Sequence, residues 1–424
     1  MGLQVFDGMM ISTTLTKLIE RTAGRSLTLR GALVASSFVV MVGLAAGLGL
    51  ERFGALIFFW SGALVAGTAL SLGGPLILLR GLTDGCGMRM RDVVALVVAF
   101  PLILTLLVFL LMASLWPALP WFAILAAGFG VNVLTCLASV MRALGSLHWS
   151  MVLRDGAPQA ALGFGAVLAS GHAAAGILVA ATCVMLLIGL IATVWCWRAR
   201  HSIVVFSEHK RSLIDASLWG TSVLGMGIMQ MDLIVGGMVL PAEALGVYAL
   251  LRRIANLVAL PVTVATWVSA AAISAAYGQG DMAALQKASR DGSRIALLPG
   301  AALFLLGLTA IPFILILLPG VTVVFVVLLV GALVQVLLAS GFTVATLCGQ
   351  ARLSVLARLA ALGCYLLSVQ IIGGQLSPVI NAVAYTVAMS CGSLLLWAQL
   401  KRKTGIETSA YALWRTRVGA WKAS

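Results

Sequence analysis

Val93-Val-Ala-Leu-Val-Val-Ala-Phe-Pro-Leu-Ile-Leu-Thr-Leu-Leu-Val-Phe-Leu-Leu-Met-Ala-Ser-Leu115 carries no charged side chain over 23 residues. About 20 apolar residues are what an α-helix needs to cross a hydrocarbon layer roughly 30 Å thick. No water serves the backbone there, so such a segment must close its hydrogen bonds within one helix. Outward from this run the same texture recurs. Hydrophobic residues make up 62% of the 424 and charged residues 9%, against about 25% charged in soluble domains. The chain reads as an all-α integral membrane protein of about 12 transmembrane helices, near 31–50, 55–79, 93–115, 119–141, 156–171, 173–197, 213–240, 244–277, 294–318, 321–347, 354–374 and 377–400.

The net charge of +14 would suit nucleic acid, but its placement does not. The basic residues sit between the apolar runs, as topology signals do. Arg80, Arg89 and Arg91 follow span two, and Arg142 and Arg154 flank the loop after span four. Arg198, Arg200, Lys210 and Arg211 follow span six, and Lys287, Arg290 and Arg294 follow span eight. Arg352 and Arg358 follow span ten, and Lys401, Arg402, Lys403, Arg415, Arg417 and Lys422 fill the tail. Loops after odd spans hold almost none, Arg52 excepted. The positive-inside rule therefore places both termini in the cytoplasm. Trp60, Trp116 and Trp121 suit an outer aromatic belt, and Trp149, Trp195, Trp197 and Trp397 an inner one. The first 30 residues lack a compact apolar core with a cleavage site, so no signal peptide is expected. The seven cysteines form no CxxC pair and the four histidines lack ligand spacing, so neither a disulfide framework nor a metal site is expected.

The hydrophilic stretch 198–211 divides the spans six and six. The expected organisation is a basic N-terminal segment over 1–30, an N-lobe over 31–200, a linker over 201–212, a C-lobe over 213–400 and a basic tail over 401–424. Glu51-Arg-Phe-Gly54 returns 192 residues later as Glu243-Ala-Leu-Gly246, each after the first span of its half. In each, the Glu is expected to cap a helix and the Gly to permit the turn. Two parallel six-helix lobes are a common transporter plan. Gly43-x-x-x-Gly47 is expected to mark close helix packing.

Asp232 is the one acid well inside an apolar run, Gly227-Ile-Met-Gln-Met-Asp-Leu-Ile-Val-Gly236. An acid at that depth should face a cavity or a partner. Arg252 and Arg253 follow the turn near Pro241–Glu243 at about the distance that Asp232 precedes it, so an ion pair between spans seven and eight is expected. In the functional reading an arginine binds a substrate phosphate while Asp232 neutralises it or takes a proton or cation; in the other reading the pair is a structural salt bridge. Gln230, Asn256 and Thr263, with Thr266 and Ser269, add polar groups to the same spans, and Pro261 should bend span eight. Arg80, Arg89 and Arg91 are candidates for a cytoplasmic entrance that attracts an anionic headgroup, or plain topology determinants.

Asp232, Glu243-Ala-Leu-Gly-Val-Tyr248, Arg252–Arg253, Leu260–Pro261 and Tyr277-Gly-Gln-Gly-Asp281 together resemble the seventh and eighth spans of Wzx-type oligosaccharide flippases. These form the polysaccharide transport family of the multidrug/oligosaccharidyl-lipid/polysaccharide (MOP) superfamily. Leu50-Glu-Arg-Phe-Gly54 with Leu72-Gly-Gly74 and Arg80 is similar to that family's pattern after span one, with Phe53 in place of the usual Tyr. Cys348-Gly-Gln-Ala-Arg352 resembles its loop before span eleven. The resemblance implies a MATE-like fold and translocation of an undecaprenyl-pyrophosphate-linked oligosaccharide across a bacterial inner membrane for surface polysaccharide. It implies alternating access driven by H+ or Na+, no cofactor, and a polysaccharide polymerase and chain-length regulator as partners. Arg252 or Arg253 would bind the pyrophosphate, and Asp232 would belong to the cavity.

Four rivals remain. A major-facilitator transporter shares the span count, but Asp84-Gly-Cys-Gly87-Met-Arg89 matches little of its loop motif. A multidrug cation antiporter of the same superfamily should line its cavity with acids, whereas here one acid meets two arginines. A membrane glycosyltransferase or polymerase should carry a large outer loop, and these outer turns are short. A lipid II flippase would share the pyrophosphate.

Overall fold

The computed structural model describes residues 28–83, 88–199, 214–317, 320–372, 377–411 and 413. Residues 1–27 of the N-terminal segment, the whole linker 201–212, the Asp84–Gly87 stretch, the 374–375 turn and the end of the tail lie outside them. Fourteen helices are described: α1 Thr28–Leu48, α2 Leu50–Leu70, α3 Gly74–Thr83, α4 Met90–Leu115, α5 Trp121–Ala143, α6 147–168, α7 Ala174–Ala199, α8 Ala216–Val239, α9 Ala242–Gly278, α10 Met282–Leu317, α11 Thr322–Leu337, α12 Gly341–Leu347, α13 Ala351–Ile372 and α14 Pro378–Thr404. Ten of these are long and apolar enough to cross a membrane, eleven if α11 and α12 form one span broken by 44°.

The order of the expected spans stands, but three differ in form. Span two splits at Leu72 and Gly73, whose φ of 48° and 80° end α2 before α3 begins. Span five is helix α6, whose uninterrupted apolar part, Ala157–Leu168, is about 18 Å long at 1.5 Å per residue and too short to cross by itself. Span ten is the broken pair. Span eight bends as expected: a 3-10 turn over Leu257–Ala259 precedes Pro261, which cannot donate to a helical carbonyl.

Prolines account for irregular turns elsewhere too. Pro101 has no N–H for the carbonyl of Val97, and α4 opens into a π turn over Ala95–Ala99. The fully buried Asn132 of α5 donates to that carbonyl at 3.4 Å, which is how an orphaned backbone group deep in a bundle must be satisfied. A matching π turn over Val152–Gly156 precedes Pro158 in α6.

The N-lobe packs around α5, which is largely buried, while most of α4 and the part of α10 beyond Ala296 turn largely outward and present leucines to the surroundings. The exposed rows Leu102, Leu106 and Leu110 on α4 and Leu298, Leu305 and Phe313 on α10 form the lipid-facing surface of the multi-pass fold. Trp116, Trp149 and Trp197 are exposed, but Trp60 is 3% exposed and belongs to the core, not to a belt. Gly43 and Gly47 have no neighbour within 4 Å of where a Cβ would stand, so the GxxxG pair marks no close packing.

The repeated tetrapeptide has a different role from the one expected. Glu51 and Glu243 lie in the first turns of α2 and α9 without capping a helix by their side chains, and the turn before α2 is made by Gly49, φ 78°. Gly54 and Gly246 lie inside their helices and face each other across the lobes. A Cβ on Gly54 would stand 1.8 Å from the Ala242 carbonyl oxygen, and one on Gly246 2.4 Å from that of Leu50. Leu50 and Ala242 are related by the same 192-residue offset as the two glycines. The contact is therefore reciprocal, as contacts across a two-fold axis are. Below it, Phe58 fills the space beside Gly237, and Trp219 Nε1 donates at 2.8 Å to the Ala69 carbonyl at the end of α2. Helix α2 is thus the seam between the lobes along its whole length.

The segment after α14 folds back rather than trailing away. Gly405, φ 73°, ends the helix and residues 406–410 are buried. The Ala410 N–H donates to the Leu337 carbonyl at 2.8 Å, Ser340 Oγ to Thr408 O at 2.8 Å, and Gln286 pairs in both directions with the Glu407 backbone at 2.9 Å. This strap supplies partners at the break between α11 and α12, where helical bonds are missing.

Candidate functional site

Helices α8 and α9 form an antiparallel hairpin turned at Leu240–Pro241, which brings Asp232 and Arg252 to one level. Arg252 Nε lies 2.7 Å from Asp232 Oδ2, with the carboxylate fully buried. Tyr248, one turn before Arg252 on α9, donates its hydroxyl to the same oxygen at 2.7 Å. Arg252 Nη2 donates to the Met229 carbonyl and, at 3.3 Å, to the Tyr385 hydroxyl of α14, whose ring the guanidinium overlies at 5.0 Å. Asn381 Nδ2 donates to the Asp232 carbonyl at 3.0 Å, and Tyr365 of α13 donates to Asn381 Oδ1 at 2.6 Å. The carboxylate is left with one oxygen, Oδ1, that is buried and has no hydrogen-bond partner. A cavity of about 340 Å³ opens between the Pro241 end of α9, Val321 and Val324 at the start of α11, and Pro378, with Tyr248 among its lining residues.

Arg253 does something else. One residue on, a helical side chain points about 100° away, and Arg253 Nη2 donates to Ser37 Oγ of α1, across the lobe boundary. It is half-buried and has no carboxylate partner among the described residues. The two arginines therefore separate: Arg252 is neutralised inside the C-lobe, and Arg253, where the lobes meet, has no counter-charge among the described residues.

Of the other candidates, Gln230 and Asn256 are half-buried on the same hairpin, and Thr263, Thr266 and Ser269 return their hydroxyls to their own helix at Leu260, Val262 and Ala265. Arg80 is exposed at the end of α3, Arg89 precedes α4, and Arg91 pairs with its neighbour Asp92 at 3.6 Å. None of these three contacts the Asp232 cluster. Tyr365, Asn381 and Tyr385 were not picked out by pattern. A signal was present: the chain has only five tyrosines, four of them within spans, and three of those converge here.

No family model and no curated protein matches the sequence. Solved structures do match. The MATE multidrug transporter DinF-BH, solved as a complex, superposes with a TM-score of 0.65 at 17% identity, covering 92% of this chain and 96% of that one. The chain has the MATE fold. An outward-facing multidrug resistance MATE transporter of the MOP superfamily gives 0.60 at 14% identity, covering 95% and 96%. A MOP superfamily transporter from Pyrococcus furiosus, reported with a binding pocket of reverse polarity that suggests a different function, gives 0.61 at 15%, covering 90% and 95%. At these identities the MATE fold is what is shared, and the side chains in the seam are this chain's own.

Proposed function

We infer that the chain is a membrane transporter that carries an anionic, lipid-linked oligosaccharide between leaflets, its pyrophosphate bound at the lobe boundary. The observation that carries this reading is Arg253: a cation in a span, partnered by a serine of the opposite lobe and by no acid among the described residues. An intramembrane arginine is costly and is by default functional. Its planar fork suits phosphate oxygens, and its position at the seam lets a bound headgroup exchange between access from either end as α1 and α2 move against α8 and α9. The lipid tail stays in the bilayer, so only the charged part needs the protein.

Asp232 would hold Arg252 in place and offer Oδ1 to a coupling proton or Na+, with the cavity at the Pro241 end as the nearest approach. In this reading, supported by the charge pattern, that end faces outward from a bacterial inner membrane and both termini face the cytoplasm. The reading includes no catalytic step. A multidrug antiporter of the same fold is the second reading, favoured by the DinF-BH likeness; the excess of cations over acids at this seam argues for an anion instead. The experiment is a deletion strain complemented with Arg253→Gln or Arg253→Lys at matched protein level. Loss of surface polysaccharide with lipid-linked oligosaccharide held in the inner leaflet is expected for Gln, with partial recovery for Lys. Full complementation by Arg253→Gln, or export of organic cations by the wild type without polysaccharide loss on deletion, sinks it.

A further inference from the structure

Another arginine with no carboxylate partner among the described residues lies against α8, nearer its Ala216 end. Arg358 of α13 is half-buried, donates through Nη1 to the Thr221 carbonyl of α8 and overlies the Phe342 ring of α12 at 5.0 Å. Space for it comes from Gly225: a Cβ there would stand 3.1 Å from Nη1. No carboxylate of the described residues pairs with it. Two hydroxyls on the same pair of helices are buried and have no hydrogen-bond partner among the described residues. Thr221 Oγ1 is on the residue whose carbonyl takes the guanidinium, and Ser354 Oγ is one helical turn before Arg358 on the same face of α13. Both are donors without an acceptor among the described residues, on the two helices that the guanidinium joins. Buried polar groups in a native fold are nearly always satisfied, so the two hydroxyls and the guanidinium call for a ligand that the protein does not itself supply.

We propose that Arg358, Thr221 and Ser354 form a second phosphate-binding site, toward the Ala216 end of the C-lobe. Helix α8 gives the spacing. Arg358 bonds the carbonyl of residue 221 and Arg252 that of residue 229, eight residues or about 12 Å apart along the axis. A headgroup entering from the Ala216 end meets Arg358 first and the Arg253 level second. The site rests on the functional reading above, and it adds a loading step to it. A neutral aromatic wall, Phe342, and a backbone carbonyl hold the guanidinium without discharging it, so its charge is kept for the ligand.

The test uses the purified full-length chain in detergent and three probes: farnesyl pyrophosphate, farnesol and inorganic pyrophosphate. Farnesyl pyrophosphate should bind the wild type, and Arg358→Gln should weaken it by about tenfold, the worth of one charge-assisted hydrogen bond. Arg358→Lys should fall between, Thr221→Val/Ser354→Ala should weaken it severalfold, and farnesol binding should not change. Inorganic pyrophosphate separates sources: the same Arg358 dependence for it marks free phosphates as sufficient, and binding of the lipid alone marks the headgroup as presented by its tail. An Arg358→Gln protein of lower melting temperature but unchanged farnesyl pyrophosphate affinity would show a mere helix clamp and overturn the proposal. So would an unchanged affinity in the Thr221/Ser354 double variant, which keeps the guanidinium and serves if Arg358→Gln does not fold. Weakening by Arg253→Gln but not by Arg358→Gln removes this site and leaves the functional reading standing. No binding of either pyrophosphate to the wild type removes both.

Discussion

Replacing Gly54 by alanine tests the seam most directly. The added Cβ would sit 1.8 Å from the Ala242 carbonyl oxygen, 2.7 Å from its carbon and 2.9 Å from the Gly246 nitrogen. All three are backbone atoms, so no side chain can swing aside. A C–H···O contact relaxes at about 3.3 Å, so α2 and α9 must separate by roughly 1.5 Å at their Pro241 ends. Overpacking of this kind costs about 1–3 kcal/mol. If the cost falls on the conformation in which the helices touch, and not on one in which they part, the equilibrium moves by about 5- to 150-fold. The measurement is a distance distribution between spin labels on a cysteine-free background, one at Trp116 and one at Val323, both exposed near that end. Gly54→Ala should deplete the short-distance population. Gly246→Ala should do the same, since its Cβ would meet Leu50 at 2.4 Å. The double variant should add little, because both changes act on one contact. Unaltered distributions in both single variants, with melting temperatures like the wild type, would refute the claim that this contact closes the lobes.

Three further outcomes follow from packing and charge. Asp232→Ala leaves Arg252 buried and unpaired and should destabilise the detergent-solubilised protein by about 3–5 kcal/mol, whereas Asp232→Leu/Arg252→Met should recover most of it; a single variant as stable as the wild type would mean the pair is solvated. Asn132→Leu should cost about 1–3 kcal/mol by orphaning the Val97 carbonyl, and Pro101→Ala should suppress the loss by restoring a helical donor; thermal unfolding of the pair decides. Glu407 lies past the end of α14. Burial pushes its carboxyl up, but hydrogen bonds from Ser409, Trp397 and Lys401 outweigh this and hold it below the ordinary value. The strap's contribution is therefore complete above the unfolded glutamate value of about 4.3 and lost as pH falls through the lower folded one. The protection of the amides of residues 405–411, taken as the exchange rate relative to the intrinsic rate at each pH, should fall on acidification in that window, and Glu407→Gln should remove that fall.

Much of the architecture is legible because the bilayer imposes length and charge rules on each span separately. The positions of α1, α4, α5, α7 and α14 follow from hydropathy alone. What is not legible is which apolar face meets protein and which meets lipid: both solvents select leucine, so Trp60 reads as an interface residue and proves to be core. The breaks in spans two and ten are hidden for the same reason, since Leu72 and Leu338 look like any other apolar residue. Gly54 and Gly246 were visible as an echo, but a glycine that makes a turn and one that admits a neighbouring backbone are the same letter. At the site, equal spacing from the turn brought Asp232 and Arg252 together. Arg253, Ser37 and Arg358 needed three dimensions, because they join helices far apart in the chain.

The strap has a consequence in time. Its partners lie at Gln286, Ser289, Leu337 and Ser340, so those groups wait for a stretch of chain more than a hundred residues after the first of them. During synthesis, α10 to α12 emerge with a broken span whose Leu337 carbonyl has no donor until residue 410 arrives. Long-range pairing of this kind closes late, and an intermediate that exposes it is a target for quality control. The C-lobe is thus completed by residues made after its last helix, and a nonsense or frameshift change after Thr404 would leave every span in place while withholding the closure.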